Sequence, residues 1–90
     1  MRLWFREISN NRTVKELVIN DETGDTRTHK VLHALDRACA SFDLPHPIWL
    51  KANEREFARI ARTRFRRDSF VEEINFDYLE IQVLEEDLFI

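Results

Sequence analysis

The sequence predicts an α+β domain in which two helices pack on one face of a small antiparallel sheet, in the order ββααβ. Three observations indicate this fold. Runs rich in aromatic and β-branched residues occupy the first twenty positions and recur near the C-terminus, and apolar residues at helical spacing lie between them. The strands and helices are also segregated along the chain rather than alternating. Ninety residues, 43% of them hydrophobic, suffice for one domain, so we expect residues 1–90 to form a single unit.

The first twenty residues predict a β-hairpin. Residues 3–5 and 14–19 form its strands, and residues 9–12 separate them. Asn10 and Asn11 suit this turn, because asparagine tolerates the left-handed backbone that tight hairpin turns require. We therefore place the N-terminal hairpin of the sheet here.

The clearest helical periodicity covers about residues 26–42. Asp25 or Thr26 would cap its first turn, and the prolines within residues 43–47 end it, because proline lacks an amide hydrogen. Its apolar face includes Cys39, which we interpret as a small core residue. This face is expected to pack against the hairpin.

Residues 53–56 signal the start of a second helix. Asn53 followed by Glu56 resembles a capping box, with Asn53 as the cap and Phe57 on the buried side. The C-terminal end of this helix has two alternatives. It continues to Arg66, or it ends near Thr63, a weaker helix former.

The best strand pattern lies near the C-terminus, where Leu79, Ile81 and Val83 alternate with Glu80 and Gln82. This alternation is typical of a strand with one face in solvent. Residues 70–74 before it suit either one helical turn or irregular structure, and we expect a bulge or turn near residues 77–78. The last few residues of the chain are expected to fray, because three acidic residues interrupt the strand pattern.

The charge of the chain changes sign between residues 67 and 68. Residues 1–50 carry seven basic and seven acidic side chains, residues 51–67 carry seven basic and two acidic, and residues 68–90 carry eight acidic and none basic. A basic block is typical of a phosphate-binding surface, and an acidic block beside it can cancel that charge. The function therefore depends on where these two blocks lie in the fold.

Four arginines share one face of the second helix if it continues to its later end. They lie opposite Phe57 at positions i, i+4, i+7 and i+11: Arg55, Arg59, Arg62 and Arg66. Such a ridge would bind the phosphate backbone of a nucleic acid. The alternative, which we favour, is that acidic residues pair with these arginines and neutralise them: either Glu80, Glu85, Glu86 and their neighbours on the last strand, or acidic residues elsewhere.

Two hypotheses of function follow. The first and favoured one is a non-enzymatic interaction or regulatory module that binds an unknown protein partner, or a second copy of itself, through its charged surface or an exposed sheet edge. The second is nucleic-acid binding through the four arginines. A metal-dependent hydrolase comes third.

One side-chain set suggests a metal site. His29 and His33 lie one helical turn apart and Asp36 follows three residues later, so two imidazoles and a carboxylate face one side of the helix. A solvated polar helix face has the same pattern, and we favour that interpretation. We therefore predict no metal site.

Four C-terminal carboxylates could in principle hold magnesium for a hydrolysis reaction. The residues concerned are Glu72, Glu73, Asp77 and Glu80. Alternating polar residues of an amphipathic strand produce similar spacing. We predict no catalytic residue and no enzymatic activity.

Composition bounds the location and the cofactors. The single cysteine rules out an internal disulfide, and the N-terminus has no basic region followed by an apolar stretch. No apolar run approaches the roughly 20 residues that cross a bilayer. We expect a cytoplasmic protein with no membrane contact, and its one glycine argues against a phosphate-binding loop, so we predict no cofactor.

Two stretches carry a family resemblance: TRTHKVLHALDRACASFDLPHPIWL and TRFRRDSFVEEINFDYLEIQVLEED. They resemble a small bacterial protein family of unknown function, and the resemblance covers roughly residues 1–87. It implies a free-standing cytoplasmic protein of about this length. It brings no activity, cofactor or catalytic residue.

Overall fold

The computed structural model describes residues 1–87 of the chain. The elements in chain order are strands β1 (Arg2–Ser9) and β2 (Arg12–Asn20), helices α1 (Arg27–Phe42) and α2 (Lys51–Ile60), and strands β3 (Arg62–Phe65) and β4 (Tyr78–Glu85). A single turn of 3-10 helix covers Arg67–Ser69. None of the helices in this part of the chain has both the length and the apolar character needed to cross a membrane.

The four strands form one antiparallel sheet in the order β2-β1-β4-β3. Because β4 lies beside β1, the C-terminal strand pairs directly with the N-terminal hairpin. The predicted fold class, an α+β domain of order ββααβ, is confirmed. The structure adds β3, a fourth strand between α2 and β4 that was not predicted.

Helix α2 ends at Ile60, so the alternative in which it continues to Arg66 is wrong. Ala61 takes a left-handed backbone with φ 54°, and its amide donates to the carbonyl of Phe57. The next four residues alternate between exposed and buried, and all four pair with residues of β4. Phe65 is completely buried, and burial of its apolar side chain in the core stabilises this strand.

The local signals at the other element ends are mostly confirmed. Asn10 and Asn11 both have positive φ, 53° and 61°, in the hairpin turn. Thr26 caps α1, and its hydroxyl accepts from the amide of His29 at 3.2 Å. The cap predicted for α2 is wrong, because Asn53 lies inside the first turn and its side chain accepts from the amide of Leu50 at 3.1 Å.

Both helices lie on one face of the sheet, and the core lies between them and the strands. The sheet contributes fully buried side chains to this core: Leu3, Phe5, Phe65, Leu79 and Ile81. From α1 come Leu35 and Ala38 among others, and from α2 Phe57. Cys39 is 1% exposed and belongs to the core, as predicted.

The acidic C-terminal residues reach α1 and the start of β1. Glu86 pairs with Arg27 at 2.6 Å, and Asp87 pairs with the buried Lys30 at 2.9 Å and with the α-amino group of Met1 at 2.7 Å. We predicted fraying for the last few residues of the chain. Residues 88–90 lie outside the described residues, so fraying there stays a prediction.

Candidate binding surface on the open face of the sheet

The second face of the sheet is not covered by either helix, and we call it the open face. Successive side chains of a strand point to opposite faces, so it carries the residues that alternate with the core positions. Its residues include Arg2, Trp4 and Arg6 of β1, Glu16 and Val18 of β2, Tyr78, Glu80 and Gln82 of β4, and Arg62 and Arg64 of β3, with Arg66 directly after that strand. A register shift between β1 and β4 sets Glu85 opposite Arg2, so Glu85 also belongs to this face.

The middle of the open face is a row of alternating charges. Arg6 lies opposite Glu16 on one side and opposite Glu80 on the other, and Glu80 lies opposite Arg64. The Glu80 carboxylate accepts from the Arg6 guanidinium through one oxygen and from Arg64 Nε through the other, at 2.8 Å. Both arginines are thereby held in place across three strands.

Glu80 is 1% exposed although it lies on the face without helices. The long arginine side chains on either side cover it. Burial raises the pKa of its carboxyl, but the hydrogen bonds from Arg64 and Arg6 outweigh that effect and hold the pKa below its ordinary value. The carboxylate is therefore ionised at neutral pH, with both oxygens occupied.

Two aromatic rings flank this row, and guanidinium groups lie over both. The Arg6 guanidinium is 4.2 Å from the ring centroid of Trp4, and the indole nitrogen of Trp4 donates to Glu16 at 3.1 Å. Arg64 and Arg66 lie 4.7 and 5.2 Å from the ring centroid of Tyr78. Both rings are half-buried, and cation–π contacts of this kind stabilise their orientation.

The open face is basic, although the protein carries a net charge of -3. Its charged side chains are five arginines (Arg2, Arg6, Arg62, Arg64 and Arg66) and three glutamates (Glu16, Glu80 and Glu85). Within residues 1–87, no carboxylate oxygen lies within 4.0 Å of a nitrogen of Arg62 or Arg66. These two exposed guanidinium groups are available to a ligand.

A depression of about 370 Å³ adjoins this face along the outer edge of β3. Arg62, Arg64 and Arg66 line one wall, and the first turns of α2 line the other, with Asn53 and Glu56. The buried Asn53 amide donates to Thr63 Oγ1 at 2.9 Å and to the Arg64 carbonyl at 3.0 Å. Asn53 thus fastens β3 to α2 and sets the position of the arginine-bearing strand.

The predicted arginine ridge does not exist as one helical face. Arg55 and Arg59 lie on α2, opposite the buried Phe57, whereas Arg62 lies on β3 and Arg66 directly follows it. Ala61 separates the two pairs, because its left-handed backbone ends the helix. Only the second pair belongs to the open face.

The predicted pairing of these four arginines with the acidic segment is also wrong for the described residues. The carboxylates of that segment pair elsewhere: Glu80 with Arg6 and Arg64, Glu85 with Arg2, Glu86 with Arg27 and Asp87 with Lys30. Most of these cations come from the first third of the chain, because β4 lies beside β1. Four of the eight carboxylates of the acidic block therefore pair with cations, and none of these cations is one of the four predicted arginines.

Sequence reasoning missed the parts of this surface that depend on strand pairing. Trp4, Arg6, Arg64 and Tyr78 were not among the candidate residues, although they form its centre. One signal was present in the chain: Arg62, Arg64 and Arg66 recur every second residue, which is strand spacing. Arg62 and Arg66 also fit the helical spacing that begins at Arg55, and the strand spacing was therefore not used to predict a strand.

The histidine cluster does not assemble as a metal centre in this part of the chain. His29 faces Asp25 at 2.9 Å, and Asp36 faces His46 at 3.1 Å rather than joining His29 and His33. No group of three or more metal-ligating side chains comes together within residues 1–87. The pairs lie on the exposed surface of α1 and the loop after it.

The four carboxylates considered for hydrolysis are also separate. Glu80 is occupied by two arginines, and Asp77 accepts from the backbone amide of Asn10 at 2.8 Å. Glu72 and Glu73 border a different depression, beside the loop that follows α1. The arrangement does not bring these groups to one point.

The comparisons with known proteins add no assignment. Searches against families of proteins, characterised proteins and solved structures find no significant match to this chain. The resemblance of residues 1–87 to a small bacterial family therefore stays a prediction.

Proposed function

We propose that the protein is a non-enzymatic binding module that holds an anionic partner on the open face of its sheet. One observation carries the proposal: Arg62 and Arg66 are exposed, the Arg66 guanidinium lies over the Tyr78 ring, and no described carboxylate lies within 4.0 Å of either arginine. Exposed arginines that lack an internal partner, on a face with ordered aromatic rings, are typical of a binding surface.

The chemistry of the reactive side chains supports a binding role over catalysis. Glu80, the most buried carboxylate, has both oxygens engaged by arginines and a lowered pKa, so it is a poor general acid or base at neutral pH. Burial, with a smaller contribution from Asp36, raises the pKa of the Cys39 thiol to about 11. A thiol of that pKa is protonated at neutral pH and is a weak nucleophile.

The charge of the open face favours a foreign partner over a second copy. Five arginines facing five arginines would repel each other, since only three glutamates are present on each face to compensate.

We place the protein in the cytoplasm, which its single buried thiol suits.

Retention on a heparin column at low salt tests this proposal, because heparin is a generic polyanion. We expect the protein to be retained at pH 7.5 despite its net charge of -3, since the open face is locally basic. The Arg62→Glu/Arg66→Glu variant should flow through. The matched Arg55→Glu/Arg59→Glu variant carries the same change of charge on α2 and should still be retained.

Two results would refute the proposal. One is a wild-type protein that is not retained at the lowest salt used. The other is retention that the α2 pair abolishes while the open-face pair leaves it intact.

A further inference from the structure

We infer that the anionic partner is a single-stranded nucleic acid, whose bases stack on the Trp4 and Tyr78 side of the open face and whose phosphates contact Arg62 and Arg66. This inference rests on the proposed function and names its ligand. It differs from the helical ridge predicted from the sequence, because the binding groups lie on three strands of the sheet.

The layout of the open face supports this ligand. Trp4 lies in a row with Gln82 and Arg62, and Tyr78 lies beside Arg66 at the other end of the face. Each end therefore combines one aromatic ring with one arginine that has no described carboxylate partner. Four residues of strand, roughly 13 Å, separate the two ends.

The row between these ends carries little net charge. Glu80 and Glu16 offset Arg6 and Arg64 there, so the attraction for phosphates is concentrated at Arg62 and Arg66. Proteins that bind single strands combine a cationic track for the backbone with aromatic rings for the bases. The open face has both features on a rigid sheet.

The aromatic rings discriminate between classes of polyanion. Bases of a duplex are stacked on each other, so a flat sheet cannot stack on them, whereas the bases of a single strand are accessible. An acidic peptide would use the arginines alone and would not need the rings. The guanidinium planes of Arg6 and Arg64 offer further stacking surfaces, because planar guanidinium groups also stack on bases.

Fluorescence anisotropy with labelled twelve-nucleotide dT and rU strands tests the inference, with a duplex of the same length and a poly-glutamate peptide as comparators. We expect the single strands to bind more tightly than either comparator at low salt. Trp4→Leu and Tyr78→Leu should each weaken binding about tenfold, because each removes one ring on which a base stacks. Two separate aromatic variants keep the test valid if one of them folds poorly, which circular dichroism would reveal.

The salt dependence separates the phosphate contacts from the stacking contacts. For single strands, each phosphate that the protein neutralises adds about 0.7 to the slope of log K against log salt, so Arg62→Gln/Arg66→Gln should reduce that slope by about 1.4. The aromatic variants should keep the wild-type slope. The control Arg55→Gln/Arg59→Gln should keep both the slope and, within about threefold, the affinity.

Each adverse outcome has its own meaning. Heparin retention without oligonucleotide binding would overturn the nucleic-acid inference and leave the proposed function standing. Tighter binding of the duplex, or of poly-glutamate with no effect of Trp4→Leu and Tyr78→Leu, would overturn the inference in favour of that ligand. Oligonucleotide binding that only the α2 variant weakens would overturn both the inference and the proposed function.

Discussion

The two faces of the sheet are built from the same strands by different physical means. On the covered face, Phe5 and Ile81 are fully buried under the helices, and burial of apolar area stabilises the fold. On the open face, their neighbours Arg6 and Glu80 form an ion pair beside Trp4. One residue along a strand thus separates a side chain that holds the fold together from one that is available for binding.

Glu80 is the exception that explains the open face. It is as buried as the core, yet arginine side chains rather than helices cover it. The contribution of Glu80 to the stability of the fold therefore depends on the ionisation of its carboxyl. The contribution of the covered face depends on the volume and shape of its apolar side chains. Substitutions and pH should separate these two kinds of stabilisation.

The largest expected effect lies on the covered face. Phe5→Ala removes a fully buried ring from the core and should lower the free energy of unfolding by about 3 to 5 kcal/mol, measured by urea denaturation. Val71→Ala is the control, because Val71 is 88% exposed and its truncation should change stability by no more than about 0.5 kcal/mol. Equal effects of the two substitutions would mean that the core is placed wrongly.

An intermediate effect is expected from the buried carboxylate of the open face. Glu80→Gln removes the charge that Arg6 and Arg64 both contact, and should cost about 1 to 3 kcal/mol in urea denaturation. Glu85→Gln on the same strand is the matched control. That side chain is 65% exposed and its nearest approach to Arg2 is 3.8 Å, so the change should cost at most about 0.5 kcal/mol. A larger destabilisation by Glu85→Gln would contradict the comparison.

The effect of Glu80 should depend on pH. Its folded pKa lies below the ordinary value of 4.5, so the ionised carboxylate stabilises the fold above that value, and this stabilisation disappears as the pH falls through the folded pKa. The difference in urea midpoint between wild type and Glu80→Gln should be constant from pH 7 to about 5.5 and shrink below pH 4.5. Taking the difference isolates Glu80 from Asp21, Asp25 and Asp87, whose pKa values are also lowered. A difference that grows on acidification would refute this role.

The smallest effect on stability is expected where the effect on binding should be largest. Arg62→Gln/Arg66→Gln changes two exposed side chains without described carboxylate partners, so the free energy of unfolding should change by no more than about 0.5 kcal/mol. Thermal or urea unfolding of this variant checks the prediction. A substantial decrease in stability would show that these arginines support the fold, and would remove the reason for treating them as ligand-binding groups.

Sequence reasoning succeeded where the deciding interactions are local. The Asn10-Asn11 turn and the Thr26 cap depend on contacts within a few residues, so their signals can be found in a short window. It failed at β3, where Arg62 and Arg66 fit a helical and a strand period alike. Pairing with β4 decides between helix and strand for this segment, and it sets Phe65 opposite Leu79, from which a loop separates it in the chain.

By itself, the sequence determined the fold class, the hairpin, the first helix and the core position of Cys39, because side-chain periodicity and turn chemistry act over short distances. Only the tertiary structure decided which charges meet. Arg6 and Glu80 lie 74 positions apart in the chain, and no charge pattern reveals a pair that strand order creates. Because the acidic residues of β4 pair with other cations, Arg62 and Arg66 have no described carboxylate partner. In the sequence, the open face of the sheet is visible only as every second residue of each strand.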